Sequence, residues 1–266
     1  MVSLFPSRAV AISLFGFEIH WYGLLYLLGF LIAAALLPRL QRYRQLSLSR
    51  DAWLSLLSWS VIGVIVGGRL GYVLFYEPTH FLRHPSEIVA VWEGGMSFHG
   101  GLLGVSIVLL FFARAQSISL LLLLDIIVVP VAIGLALGRL GNFINQELYG
   151  TITLLPWGIS IPGVEGMRHP TQLYAVGKDL IIALVCFVHL RLTKSKSYLI
   201  GCTGAAFLVL YSIGRFSLEF LREQQYPLTE IFALPLTRGQ LLTVPVFLVG
   251  IGICLKNRIA RWKRKV

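Results

Sequence analysis

The chain has 266 residues, of which 56% are hydrophobic and only 13% charged, with a mean hydropathy of +0.78. That composition excludes an ordinary soluble globule and points to a protein that crosses a membrane several times. Its 23 Lys and Arg against 12 Asp and Glu leave a net charge of +11, which would suggest nucleic-acid binding in a soluble domain but in a membrane is first a matter of orientation.

Roughly 20 apolar residues cross the hydrocarbon core as a helix, and open strands cannot cross it, because backbone groups must be satisfied within the segment. Residues 1–20 mix polar and apolar types and read as an interfacial segment. They lack the basic stretch and small-residue cleavage site of a signal peptide, so the first apolar span is expected to be retained. Seven spans follow, near 21–38, 52–74, 99–113, 118–138, 171–190, 199–219 and 239–255. The expectation is an all-α, polytopic integral membrane protein, with 1–266 forming a single transmembrane domain. Small-xxx-small pairs such as Gly63 and Gly67, Gly67 and Gly71, Gly100 and Gly104 predict close helix packing. Cys186, Cys202 and Cys254 lie far apart in apolar stretches, which suits core or lipid-facing positions and neither a disulfide framework nor a zinc site.

The basic residues sort by side. Arg39, Arg42, Arg44 and Arg50 follow the first span, Arg114 the third, and Arg191, Lys194 and Lys196 the fifth, while the tail adds Lys256, Arg258, Arg261, Lys263, Arg264 and Lys265. All fall on one side if the N-terminus is outside and the C-terminus inside; Arg8, Arg83, Arg168, Arg222 and Arg238 fall opposite. Orientation and attraction to anionic lipid explain the tail without nucleic acid.

Arg69, Arg139, Lys178 and Arg215 remain, within or at the ends of apolar spans. Ionisable groups at that depth are costly and mark sites or paired clamps. The densest constellation runs from Gly138 to Gly150. Continued as a helix it would place Arg139, Asn142 and Gln146 on one face, a cation among amide donors suited to a phosphate, or else a clamp in which Arg139 pairs with Glu147 or Glu219. Tyr211, Arg215 and Glu219 recur at helical spacing, giving either a second arginine for the same phosphate or a self-neutralising ion pair. His99 stands among Gly94, Gly95, Gly100 and Gly101, where a neutral imidazole could take a proton or simply pack. His20, Trp21, Tyr22 and Gly23 open the first span as interfacial anchors or as a lining for a lipid headgroup. Residues 168–174, with His169, open the fifth. Lys178 and Asp179 are adjacent, point to different faces and are expected to pair elsewhere; Asp125 has no evident partner.

Together these motifs resemble the bacterial prolipoprotein diacylglyceryl transferase family. The resemblance rests on His20-Trp21-Tyr22-Gly23, Gly67-Gly68-Arg69-Leu70-Gly71-Tyr72, residues 94–101, residues 138–150, residues 168–174, and Arg215 with Glu219, in family order along nearly the whole chain. It implies a seven-helix enzyme of the bacterial cytoplasmic (inner) membrane with its active site towards the outer side. Such an enzyme transfers the diacylglyceryl group of phosphatidylglycerol to the lipobox cysteine thiol of a prolipoprotein signal peptide, forming a thioether and releasing glycerol phosphate. The family's functional residues map onto Tyr22, His99, Arg139, Asn142, Glu147, Gly150, Tyr211 and Arg215. Arg69, Asn145, His169 and Glu219 join the candidate binding residues. Ala175 stands where the family usually carries Glu, which leaves that carboxylate absent or moved to Asp179, and the stretch from Thr151 to Met167 is short against longer members.

The histidines show no metal-ligand spacing with carboxylates, and no Gly-rich strand-to-helix loop offers a nucleotide site, so no metal or other cofactor is expected. A transporter of an anionic lipid or solute is the alternative from another class; no inverted repeat is visible to support it.

Overall fold

The computed structural model describes residues 2–4, 8–194, 196, 199–224, 229–231 and 234–262. In chain order, strands β1 (Val2–Leu4), β2 (Val10–Leu14) and β3 (Phe17–His20) precede α1 (Trp21–Leu40), α2 (Arg50–Phe75) and a short α3 (Pro78–Arg83). Then come α4 (Phe98–Ala115), α5 (Leu120–Ile144), α6 (Thr171–Leu192), α7 (Cys202–Glu219), β4 (Thr229–Ile231), β5 (Leu234–Leu236) and α8 (Arg238–Trp262).

The long helices fall where the apolar runs place them, and the protein is an all-α polytopic membrane protein. Among the described residues, five helices are long and apolar enough to cross a membrane: α1, α2, α5, α6 and α8. From His99 to Ala115 α4 is apolar but shorter, and α7 carries both Arg215 and Glu219. The N-terminal segment is more ordered than the sequence suggests. It forms an antiparallel sheet in the order β1-β2-β3, and Leu14 pairs with Phe17 across a two-residue turn in which Phe15 and Gly16 both have positive φ.

The chain divides into two compact units, residues 46–123 and residues 1–45 with 124–266. In the unit of residues 46–123, α2 packs on α4 through glycines. A Cβ on Gly67 would run into the carbonyl of Gly100, and one on Gly71 would stand 2.7 Å from the Gly100 Cα. Backbones this close gain dispersion and weak polar contacts that larger side chains would prevent. Both helices begin on serine caps: Ser49 accepts from the Ala52 N–H at 3.1 Å and Ser97 from that of Gly100 at 3.3 Å.

The same unit corrects the expectation that no histidines share metal-ligand spacing. His80, His84 and Glu87 bring their donor atoms within 4.8 Å of one another. The reason is the break at His84-Pro85, which ends α3 and turns the chain so that Glu87 comes back to His80. Their side chains lie 2.7 Å apart, and the hydrogen bond from His80 holds the Glu87 carboxyl below its ordinary range.

In the other unit Asp125 proves to be paired. Arg44, in a 3-10 turn after α1, donates from Nε to Asp125 Oδ2 at 2.7 Å, and both side chains are buried. The backbone N–H groups of Gly201 and Gly204 complete the carboxylate at 2.8 and 2.9 Å, while Thr193 and Thr203 accept from the guanidinium. Arg44 therefore joins the ends of α1, α5, α6 and α7 instead of lying free among the orienting charges. At the start of α8, Thr237 and Gln240 form a reciprocal capping box, with both bonds at 3.0 Å.

Candidate active site

Three helices of the unit formed by residues 1–45 and 124–266 converge on a small cavity. Arg139 enters it from α5, Gln172, Lys178 and Asp179 from α6, and Tyr211 and Arg215 from α7. Helical spacing explains the selection: positions 172, 175, 178 and 179 share one face of α6, and 211, 215 and 218 one face of α7. Arg222 lines the same cavity just beyond the end of α7. There, burial and then the charge of Arg215 lower its proton affinity. Arg139, Lys178, Arg215 and Arg222 against Asp179 make a cationic pocket with hydrogen-bond donors in fixed positions, which suits a phosphate ester.

The carboxylates around it are engaged. Glu219 is buried and pairs with Arg215 one turn earlier, and its Oε2 lies 3.7 Å from Arg222. Lys178 and Asp179 pair with each other, contrary to the expectation of separate partners. Adjacent Cβ atoms diverge, but the long lysine arm folds back, placing Nζ also 4.4 Å from the centre of the Tyr211 ring.

The segment after α5 fixes Arg139. The helix ends at Ile144, and Gln146 and Leu148 have φ of +60° and +56°, so Gln146 does not continue the face of Arg139 and Asn142. The left-handed turns instead fold Glu147 back. Arg139 Nη1 donates to Asn142 Oδ1 at 3.4 Å, Asn142 Nδ2 to Glu147 Oε2 at 3.3 Å, and Asn145 Nδ2 to Glu147 Oε1 at 3.1 Å. Glu147 thus reaches Arg139 through Asn142 and not by a direct ion pair. From α6, Gln172 Nε2 donates to the Glu147 carbonyl at 2.6 Å and the Thr171 hydroxyl to that of Leu148 at 3.1 Å. Gly150 closes the loop: its N–H donates to the His169 carbonyl at 2.9 Å, and a Cβ there would lie 2.5 Å from the His169 Cβ and 2.6 Å from the Leu221 carbonyl oxygen.

Tyr22 and His169 stand outside the cavity lining. Tyr22 packs on Gly141, where an added Cβ would come within 2.5 Å of its ring, and its hydroxyl is 3.2 Å from that of Tyr26. His169 Nδ1 is 3.3 Å from the Tyr174 hydroxyl, which also accepts from Trp157 at 2.7 Å.

Arg69 and His99 belong to the unit of residues 46–123. Arg69 is buried and donates to the carbonyls of Glu87, Ile88, Gly94 and Gly95. With its guanidinium bonded to four backbone oxygens, Arg69 holds the glycine loop. Gly94 and Gly95 have φ of +88° and +71°, and a Cβ on Gly95 would meet Tyr72 at 2.6 Å, so the loop needs glycine there. The loop delivers His99 to the first turn of α4, with its side chain exposed.

Lys178, Gln172 and Arg222 are missing from the candidate site residues read from the sequence. Lys178 had a signal, a charge in an apolar span, and Gln172 shares its helical face; the bond of Gln172 to Glu147 and the return of Arg222 to the cavity depend on the turn after α5 and the end of α7.

A family model described as prolipoprotein diacylglyceryl transferase matches residues 9–256. A protein of Geobacter sulfurreducens named phosphatidylglycerol–prolipoprotein diacylglyceryl transferase is 45% identical over 239 residues, covering 90% of either chain. Proteins of the same name from Bordetella bronchiseptica and Cereibacter sphaeroides are 44% and 39% identical, covering 92% and 93% of this chain and 94% of each relative.

Proposed function

The chain belongs to the prolipoprotein diacylglyceryl transferase family, and from that premise we propose that its arginine-lined cavity binds the phosphate of phosphatidylglycerol. It is a transferase of lipoprotein maturation: it moves the diacylglyceryl group of phosphatidylglycerol to the lipobox cysteine thiol of a prolipoprotein in the bacterial inner membrane. The convergence of Arg139 and Arg215 on one cavity carries this reading.

The thiol sulfur forms a bond to the glyceryl carbon that bears the phosphate oxygen. The carbon–oxygen bond breaks, and its electron pair leaves on glycerol phosphate. The diester carries one negative charge and the departing monoester approaches two, so Arg139 and Arg215 stabilise the transition state more than the ground state. Asn142, oriented by Glu147, holds Arg139 in place, and the Tyr211 hydroxyl is a donor to the phosphate or glycerol. Glu219 keeps Arg215 aimed. Proton removal from the thiol falls to His99, while Tyr22, Asn145, Gly150 and His169 shape the loops around the headgroup. Seven spans, with the N-terminus and the active site outside and the C-terminus inside, complete the reading.

The test is transfer from phosphatidylglycerol to a lipobox peptide by purified protein. A thioether-linked diacylglyceryl peptide is the expected product, abolished by Arg139→Ala and by Arg215→Ala. Ordinary rates in either variant would refute that arginine's role, and lipid movement without product would favour a transporter.

A further inference from the structure

Gln172 is 2% exposed and lines the arginine cavity, yet only half of its amide is used. Its Nε2 is fixed by the Glu147 carbonyl at 2.6 Å, which sets the orientation of the whole group, whereas its Oε1 is buried without a hydrogen-bond partner. An orphaned buried carbonyl is costly, and native proteins retain one where something else completes it. The charged groups facing the same space are mostly donors: Arg139, Lys178, Arg215 and Arg222, with Asp179 already paired to Lys178. An anion satisfies these cations but repels Oε1. The missing complement to Gln172 is therefore a neutral donor attached to an anion, and the hydroxyl of a polyol phosphate ester has that chemistry.

We propose that Gln172 reads the headgroup: its Oε1 accepts a hydrogen bond from a hydroxyl of the glycerol whose phosphate the arginines hold. This rests on the reading of the cavity as the phosphatidylglycerol site and adds a residue that distinguishes a hydroxylated headgroup from a plain alkyl one. Arginines recognise any phosphodiester, so they cannot make that distinction. An acceptor locked in place by the Glu147 carbonyl can, because a headgroup lacking the hydroxyl leaves Oε1 buried and unpaired.

The experiment compares phosphatidylglycerol with phosphatidylpropanol, which lacks both headgroup hydroxyls, as diacylglyceryl donors to a lipobox peptide, using the purified full-length protein. The wild-type protein is expected to favour phosphatidylglycerol in kcat/KM by roughly 5- to 150-fold, the range for a buried acceptor left unpaired. In Gln172→Met that preference should collapse towards one, phosphatidylglycerol losing more than phosphatidylpropanol by about the wild-type preference, while any loss common to both lipids reports the missing brace on the Glu147 loop. Equal wild-type rates with the two lipids would overturn the proposal without any variant. So would a Gln172→Met protein that loses both rates in proportion, since that is the pattern of a residue merely bracing the Glu147 loop. Absence of wild-type transfer from phosphatidylglycerol would instead strike the parent reading.

Discussion

Arg44 Nε meets Asp125 Oδ2 at 2.7 Å, 81 positions apart in the chain, with both side chains buried. Each partner is otherwise saturated, Asp125 by two backbone N–H groups and Arg44 by two threonines. Removing one charge strands the other in a low-dielectric setting, which costs about 3–5 kcal/mol. Arg44→Met is therefore expected to destabilise the protein by that amount in thermal unfolding in detergent, as is Asp125→Leu. The double variant Arg44→Met with Asp125→Leu should recover much of the loss. Additive losses in the double-mutant cycle would show that the two charges are not coupled.

The contact between Gly67 and Gly100 leaves no room for a methyl group, because a Cβ on either meets the other's carbonyl oxygen. Those obstacles are backbone atoms, so relief requires the helices to separate. Gly100→Ala is expected to cost at least about 2 kcal/mol, within the range for overpacking, and to loosen the loop that carries His99. Gly101→Ala, whose Cβ would find its nearest neighbour at 3.5 Å, is the control and should be close to neutral.

The sequence made the helices legible because a membrane span leaves little choice: roughly 20 apolar residues in a row have to be helical. It made Arg139 and Arg215 legible because charge in such a run has few innocent explanations. Asp125 was not, since its partner lies outside the spans and is indistinguishable in sequence from Arg42 or Arg50. The N-terminal sheet escaped because strands of three to five residues carry too short an alternation to stand out. Gln146 leaves the face of Arg139 and Asn142 because helical periodicity stops at Ile144, after which the chain takes left-handed turns.

Lys178 neutralises Asp179 and lies over the Tyr211 ring, and all three line the arginine cavity. Lys178→Met should leave the Asp179 carboxylate unopposed beside the phosphate, raising KM for phosphatidylglycerol by about tenfold, the equivalent of 1.4 kcal/mol, with a smaller change in kcat. Adding Asp179→Asn should restore most of the KM. Steady-state kinetics on the single and double variants check this, and a KM that Asp179→Asn fails to lower would mean the lysine acts on its own account.

His99 begins α4 beyond a loop whose two glycines need positive φ. The substrate thiol has an unperturbed pKa near 8.5 and reacts as thiolate, so a base matters most where the thiol is still protonated. With His99 in that role, His99→Gln is expected to reduce kcat/KM by about 10²- to 10⁴-fold near neutral pH. The deficit should shrink as pH rises through the thiol pKa, because solvent then supplies the thiolate. The wild-type profile should stay flatter over the same interval. A rate ratio between the two proteins that is independent of pH would assign His99 to positioning, and a variant with near-normal transfer at every pH would remove it from the mechanism.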